Sequence, residues 1–167
     1  MPCEDARMGS EQLASEGQTT SEERVAGGCA CGGVRYRITG GLRDVVHCHC
    51  ESCRRITGHH MAATAARAED LHLESEETLR WYQRTDTVRY GFCSTCGATL
   101  FWEATDKANR VTIAAGTLDQ PTGLRTRVAI YAGDAGDYHH LDPTIETHQG
   151  DYPLDDPLNA DLGNELR

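Results

Sequence analysis

Thiolate sulfur is a strong ligand for soft metal ions, and seven of the eight cysteines in this chain fall into three tight groups. These are Cys29-x-Cys31, Cys48-x-Cys50-x-x-Cys53 and Cys93-x-x-Cys96. Thiolates one to three residues apart can converge on one tetrahedral ion, and Zn²⁺ is the usual occupant of such sites. The two pairs, Cys29 with Cys31 and Cys93 with Cys96, together make the four ligands of a closed structural zinc site. The triplet is one ligand short, as in a zinc centre that takes water or substrate at its open corner. Cys3 stands in a polar leader with no cysteine near it in sequence.

The flanking residues sharpen this reading. Gly27, Gly28, Gly32 and Gly33 surround the first pair and Gly97 follows the last, so each turn can bend until both sulfurs face one ion. Disulfides are the competing use of the two pairs. The opening residues do not read as an export signal, so a reducing cytosol is expected and metal ligation is favoured. Around the triplet runs His47-Cys48-His49-Cys50-Glu51-Ser52-Cys53-Arg54-Arg55. Its fourth corner is open to water, His47, His49 or an incoming thiol; a site closed by histidine, or three thiols without metal, are the plainer alternatives. Arg54 and Arg55 are expected to lower thiol pKa values, offset the charge of the centre or receive ligand carboxylates. Three thiolates on Zn²⁺ leave a net charge of −1, which weakens Lewis acidity and favours delivery of a bound thiolate. His47 or His49 would be the proton shuttle on chemistry alone.

Weaker candidates also exist. Adjacent side chains on a strand point to opposite faces, so neither His59-His60 nor His139-His140 is expected to clamp an ion. Trp81, Tyr82, Phe92, Phe101 and Trp102 are expected in the core or lining a pocket, and Asp119 in solvent or at a helix cap. No Ser-His-Asp set, dinucleotide fingerprint or paired-carboxylate site stands out.

These groups need a scaffold, and the 167 residues suit a single ordinary domain with a modest core, since 38% are apolar. The net charge of −10 lies in the flanks. Residues 1–24 hold six acids against two arginines, and residues 132–167 nine against one, whereas the stretch between has thirteen basic and eleven acidic residues. The flanks read as a disordered acidic leader (1–24) and an acidic C-terminal tail (146–167) around a domain over 25–145. Nucleic acid is not expected as a partner without a basic footprint, nor a membrane without an apolar run of about 18 residues. Nine short strands can be drawn: 34–38, 45–47, 61–66, 71–73, 79–82, 87–92, 99–102, 111–114 and 127–131. Residues 79–92 form a hairpin turning at Thr85-Asp86. Cys50 to Thr57 reads as one or two helical turns stopped by Gly58. The expected fold is therefore mainly β, with little helix.

Four segments, GGCACGGVRY at 27–36, CHCESCRRITG at 48–58, FCSTCGATLF at 92–101 and AAGTLD at 114–119, occur in an order that resembles the glutathione-dependent formaldehyde-activating enzyme family, also described as centromere protein V-like. The resemblance implies a zinc-stapled, Mss4-like β-sandwich of short antiparallel strands. It implies a structural zinc on Cys29, Cys31, Cys93 and Cys96 and a second, functional zinc on Cys48, Cys50 and Cys53. It further implies addition of glutathione to formaldehyde, formally a carbon–sulfur lyase reaction in reverse. The expectation is thus a soluble, cytoplasmic zinc enzyme of carbon–sulfur lyase type that joins a small thiol to an aldehyde. Its rival is a zinc-stabilised binding module without catalytic activity.

Overall fold

The structure, a computed structural model, describes residues 25–151. Cys3, the acidic leader and the tail beyond 151 lie outside the described residues.

The chain folds into two sheets. The strands β1 (Val25–Gly28), β2 (Arg35–Ile38) and β5 (Leu71–Ser75) make a three-stranded antiparallel sheet in the order β1-β2-β5. The larger sheet holds β3 (Val45–Cys48), β4 (Met61–Arg67), β6 (Leu79–Gln83), β7 (Val88–Cys93), β8 (Thr99–Ala104), β9 (Arg110–Ala114), β10 (Thr126–Ile130) and β11 (Glu146–Thr147). Its order is β11-β10-β3-β4-β9-β8-β7-β6. β10 runs parallel to β3 and β11, and all other neighbours are antiparallel. A single α-helix, α1 (Glu51–Thr57), interrupts the strands among the described residues.

The strand signals act through their two-residue period. In β2, Tyr36 and Ile38 are buried while Arg35 and Arg37 turn outward. Tyr36 and Ile38 join Val34, Leu79, Leu100, Phe101, Val111 and Ile113 in the main core, where Tyr36 meets Phe101 edge-on at 5.3 Å. The Tyr36 hydroxyl reaches Thr117 Oγ1 at 2.7 Å. This ring crosses β1 at Gly27, where a Cβ would stand 2.5 Å from Tyr36 Cζ and 2.6 Å from the Thr117 carbonyl oxygen. A second buried cluster holds Cys53, Met61, Ala63 and Tyr90, with Cys48, Cys50 and Trp102 packed against it.

The mainly β expectation holds, with eleven strands among the described residues rather than nine. β1 was missed because Val-Ala-Gly-Gly has no alternation, and β11 because two residues give no period. The tail boundary at 146 also moves. His148 N–H bonds the Ala129 carbonyl at 2.8 Å and Tyr131 N–H bonds the Gly150 carbonyl at 2.9 Å, so the chain after Ile145 is an edge of the sheet. The helix runs as expected: Cys50 is its N-cap, and Gly58 ends it in the left-handed region at φ 81°. No helix among the described residues is long and apolar enough to cross a membrane.

Candidate metal centres and an adjoining pocket

Two turns bring four sulfurs together. Cys29 and Cys31 sit in the tight link from β1 to β2, which Gly32 closes at φ 79°; Cys93 ends β7, and Cys96 lies in the turn before Gly97 at φ 76°. The sulfurs of Cys29 and Cys31 are 3.5 Å apart, and those of Cys31 and Cys93 are 3.6 Å apart. Zinc–sulfur bonds of about 2.3 Å in a tetrahedron put sulfurs roughly 3.8 Å from one another, so this spacing suits the ion. Hydrogen-bond donors also converge on two of these sulfurs. Val34 N–H donates to Cys29 Sγ at 3.2 Å, Cys96 N–H to Cys93 Sγ at 3.5 Å, and the Thr78 hydroxyl lies 3.1 Å from Cys93 Sγ. The Thr78 hydroxyl, followed by the Cys96 amide, draws the Cys93 thiol down to about 5. All seven cysteines among the described residues are free of disulfides. Donor type, spacing and amide support fit a structural zinc.

The triplet is built at the junction of β3 and α1. Cys48 is the last residue of β3, Cys50 caps α1 and Cys53 lies on its first turn. Their sulfurs lie within 4.8 Å of one another. Cys53 N–H donates to Cys50 Sγ at 3.5 Å, and the buried Tyr90 hydroxyl lies 3.7 Å from Cys53 Sγ. Hydrogen bonds from the Cys48 and Cys53 thiols hold Cys50 far below the usual thiol range, while Cys48, which donates its S–H to Cys50 and Cys53, is pushed far up. Burial first, and after it the neighbouring sulfurs, raises the Tyr90 phenol, so it stays protonated. This donor set also fits zinc.

The trio lines a cavity of about 410 Å³; none of Cys29, Cys31, Cys93 and Cys96 does. Arg43, Arg84, Lys107 and Arg110 bring positive charge to its wall, against Glu51, Asp134 and Asp151. Trp102 and Tyr90 supply the apolar side. Tyr131, also on the wall, is the one non-glycine residue among those described with positive φ, at 53°.

Arg54 and Arg55 do not take the expected place at this wall. Arg55 Nε pairs with Glu51 at 2.9 Å, one turn away, with its side chain 72% exposed. Arg54 Nε is buried with no hydrogen-bond partner. Both sit in the last turn of α1, where positive charge complements the helix dipole. The pocket's cations instead come from three separate stretches, at Arg43, Arg84 and Lys107 to Arg110, that share no motif. Tyr82 departs from expectation as well, being 52% exposed.

The histidines also part from the triplet. In His47-Cys48-His49-Cys50 the sulfurs gather on one side and the imidazoles on the other, as strand alternation requires. His47 and His49 group with His60, and His60 with His59 and His139. His59 and His60 occupy the irregular link from α1 to β4, where strand alternation does not apply, and both approach His139. Burial first, then neighbouring imidazoles, hold His49 down to about 4 and His60 to about 3. Asp119, expected in solvent or at a cap, pairs with Arg35 at 2.6 Å.

Residues 24–134 match the family model described as "Glutathione-dependent formaldehyde-activating enzyme". Among solved structures, the crystal structure of a Rhodobacter sphaeroides protein is similar, with 27% sequence identity and a TM-score of 0.50. That match covers 60% of this chain and 97% of the other.

Proposed function

The chain belongs to the glutathione-dependent formaldehyde-activating enzyme family, and from that premise we propose that it joins a small carboxylate-bearing thiol of the glutathione type to formaldehyde or a similar aldehyde. The reaction forms one carbon–sulfur bond, breaks the carbonyl π bond and moves the thiol proton to the carbonyl oxygen. Run backwards, it is a carbon–sulfur lyase reaction. The observation that carries the reading is the contrast between the two sulfur groups. Four sulfurs staple turns away from the cavity, whereas three open onto a cavity whose wall has more cationic than anionic side chains.

In this reading Cys29, Cys31, Cys93 and Cys96 hold a structural zinc, and Cys48, Cys50 and Cys53 hold a second. When bound, the second zinc lowers the pKa of a thiol at its open corner. Arg43, Arg84, Lys107 and Arg110 receive the carboxylates of the thiol ligand, the task first expected of Arg54 and Arg55. The Tyr90 hydroxyl, protonated and beside the trio, donates to the oxygen that gains charge as the bond forms. Trp102 covers the apolar side and keeps water from the aldehyde. Thiol addition to formaldehyde is intrinsically easy, so holding the two partners together supplies most of the gain.

The test is exchange spectroscopy on glutathione and formaldehyde mixtures, with and without protein. A saturable exchange rate above the spontaneous one, lost in Cys50→Ser while far-UV circular dichroism is unchanged, is expected. Exchange at the spontaneous rate from protein carrying metal on both sulfur groups would leave a zinc-stabilised binding module.

A further inference from the structure

Five imidazoles converge on the side of β3 away from the sulfur trio, and no step proposed above uses them. They come from three places that fold back on one another: His47 and His49 on β3 and its exit, His59 and His60 between α1 and β4, and His139 after β10. Ring centroids of His47 and His60 are 4.2 Å apart, those of His49 and His60 4.9 Å, and His139 stacks on His49 at 5.0 Å with 28° between planes. His59 lies 4.5 Å from both His60 and His139.

Two details separate this cluster from rings that merely pack. His49 Nε2 and His60 Nδ1 are both buried, and neither has a hydrogen-bond partner. Buried polar atoms are almost always satisfied, and an orphaned imidazole nitrogen in each of two neighbouring rings is what a shared ion would explain. In addition, one ring nitrogen each from His47, His49 and His60 lies within 4.8 Å of the other two. The Thr126 hydroxyl, 3.3 Å from His47 Nε2, orients that ring from outside, as the partners of metal-binding histidines do.

We propose that His47, His49 and His60 form a third metal site, for a borderline divalent ion of the zinc class, distinct from both sulfur centres. Its ligands are neutral, so the bound ion keeps its full charge of +2, whereas three thiolates turn the same ion into a centre of −1. Imidazole donors suit zinc, copper and nickel and reject magnesium and calcium. Three protein ligands leave the fourth corner to water or to the nearby His139.

The test uses tag-free, full-length protein purified with its sulfur-bound metal, to which Co²⁺ is added as a spectroscopic stand-in for zinc. One further equivalent is expected to bind, giving visible bands of nitrogen ligation with no new sulfur-to-cobalt charge transfer, and shifting the imidazole proton resonances. Excess Zn²⁺ should displace it and Mg²⁺ should not. His60→Gln should lose this equivalent while keeping sulfur-bound zinc and its circular dichroism spectrum, and His49→Gln should do the same. Failure of the unaltered protein to bind more metal at micromolar free ion would overturn the proposal, whatever the variants do. So would new charge-transfer absorption, or undiminished uptake by folded His60→Gln. The readout is metal uptake, so it stands or falls apart from thiol–aldehyde activity.

Discussion

At the scale of single residues, the specificity proposed for the pocket rests on charges that the cysteine pattern does not announce. Arg84 makes the simplest probe, since its backbone N–H bonds the Val88 carbonyl within the β6–β7 turn and its side chain is exposed at the cavity wall. Removing that charge leaves the turn intact. Arg84→Gln should raise KM for glutathione by about fivefold, the equivalent of about 1 kcal/mol for a partly solvated charge pair, with kcat nearly unchanged. A thiol without carboxylates should show no difference between the two proteins. Steady-state comparison of the two thiols checks this, and a fall in kcat with unchanged KM would mean that Arg84 does not hold the ligand. The proposed metal ligands were legible because cysteine spacing is local. Those proposed to select were not, because Arg43, Arg84 and the Lys107–Arg110 stretch meet only in the folded sheet, and no spacing links the three. The histidine cluster was hidden for the same reason, with His139 some eighty residues from the two it approaches on β4's side of the link.

At the scale of elements, one close approach helps decide whether the small sheet seats on the large one. Gly27 in β1 passes beneath the Tyr36 ring, and the surrounding atoms are the hydroxyl and Cζ of a rigid ring and the Thr117 backbone carbonyl. Gly27→Ala must therefore displace a fully buried tyrosine or the Thr117 backbone, and is expected to cost about 2 kcal/mol, as overpacked cores do. Gly41, which has nothing within 4 Å and lies before β3, is the control, and its alanine variant should fall within about 0.5 kcal/mol of the parent. Urea denaturation of both variants checks the pair; equal midpoints would show that β1 yields easily. Elements with a clear period, such as β2 and the β6–β7 hairpin, were readable from the residues alone. β1 was not, since its role is to be thin where a ring crosses it, and thinness leaves no pattern.

At the scale of the whole molecule, the two sulfur groups should differ in what their metal does for stability, because they close loops of different size. Cys31 and Cys93 are 62 positions apart, and their shared ion would tie the β1–β2 turn of the small sheet to the end of β7 in the large one. The trio spans only positions 48 to 53, inside one junction of strand and helix. Loop-closure entropy alone makes the long staple worth about 2 kcal/mol more than the short one, before counting the contacts between sheets that it holds in place. Graded chelation should therefore remove metal in two stages. The first stage should take metal from the trio, which faces the cavity, with the circular dichroism spectrum and thermal midpoint nearly intact. The second should coincide with unfolding. Cys53→Ser should mimic the first stage and Cys96→Ser the second, the latter lowering the thermal midpoint by well over the change seen in the former. Metal release followed alongside circular dichroism separates the stages. Loss of all metal in one step without unfolding would show that the four sulfurs do not staple the sheets.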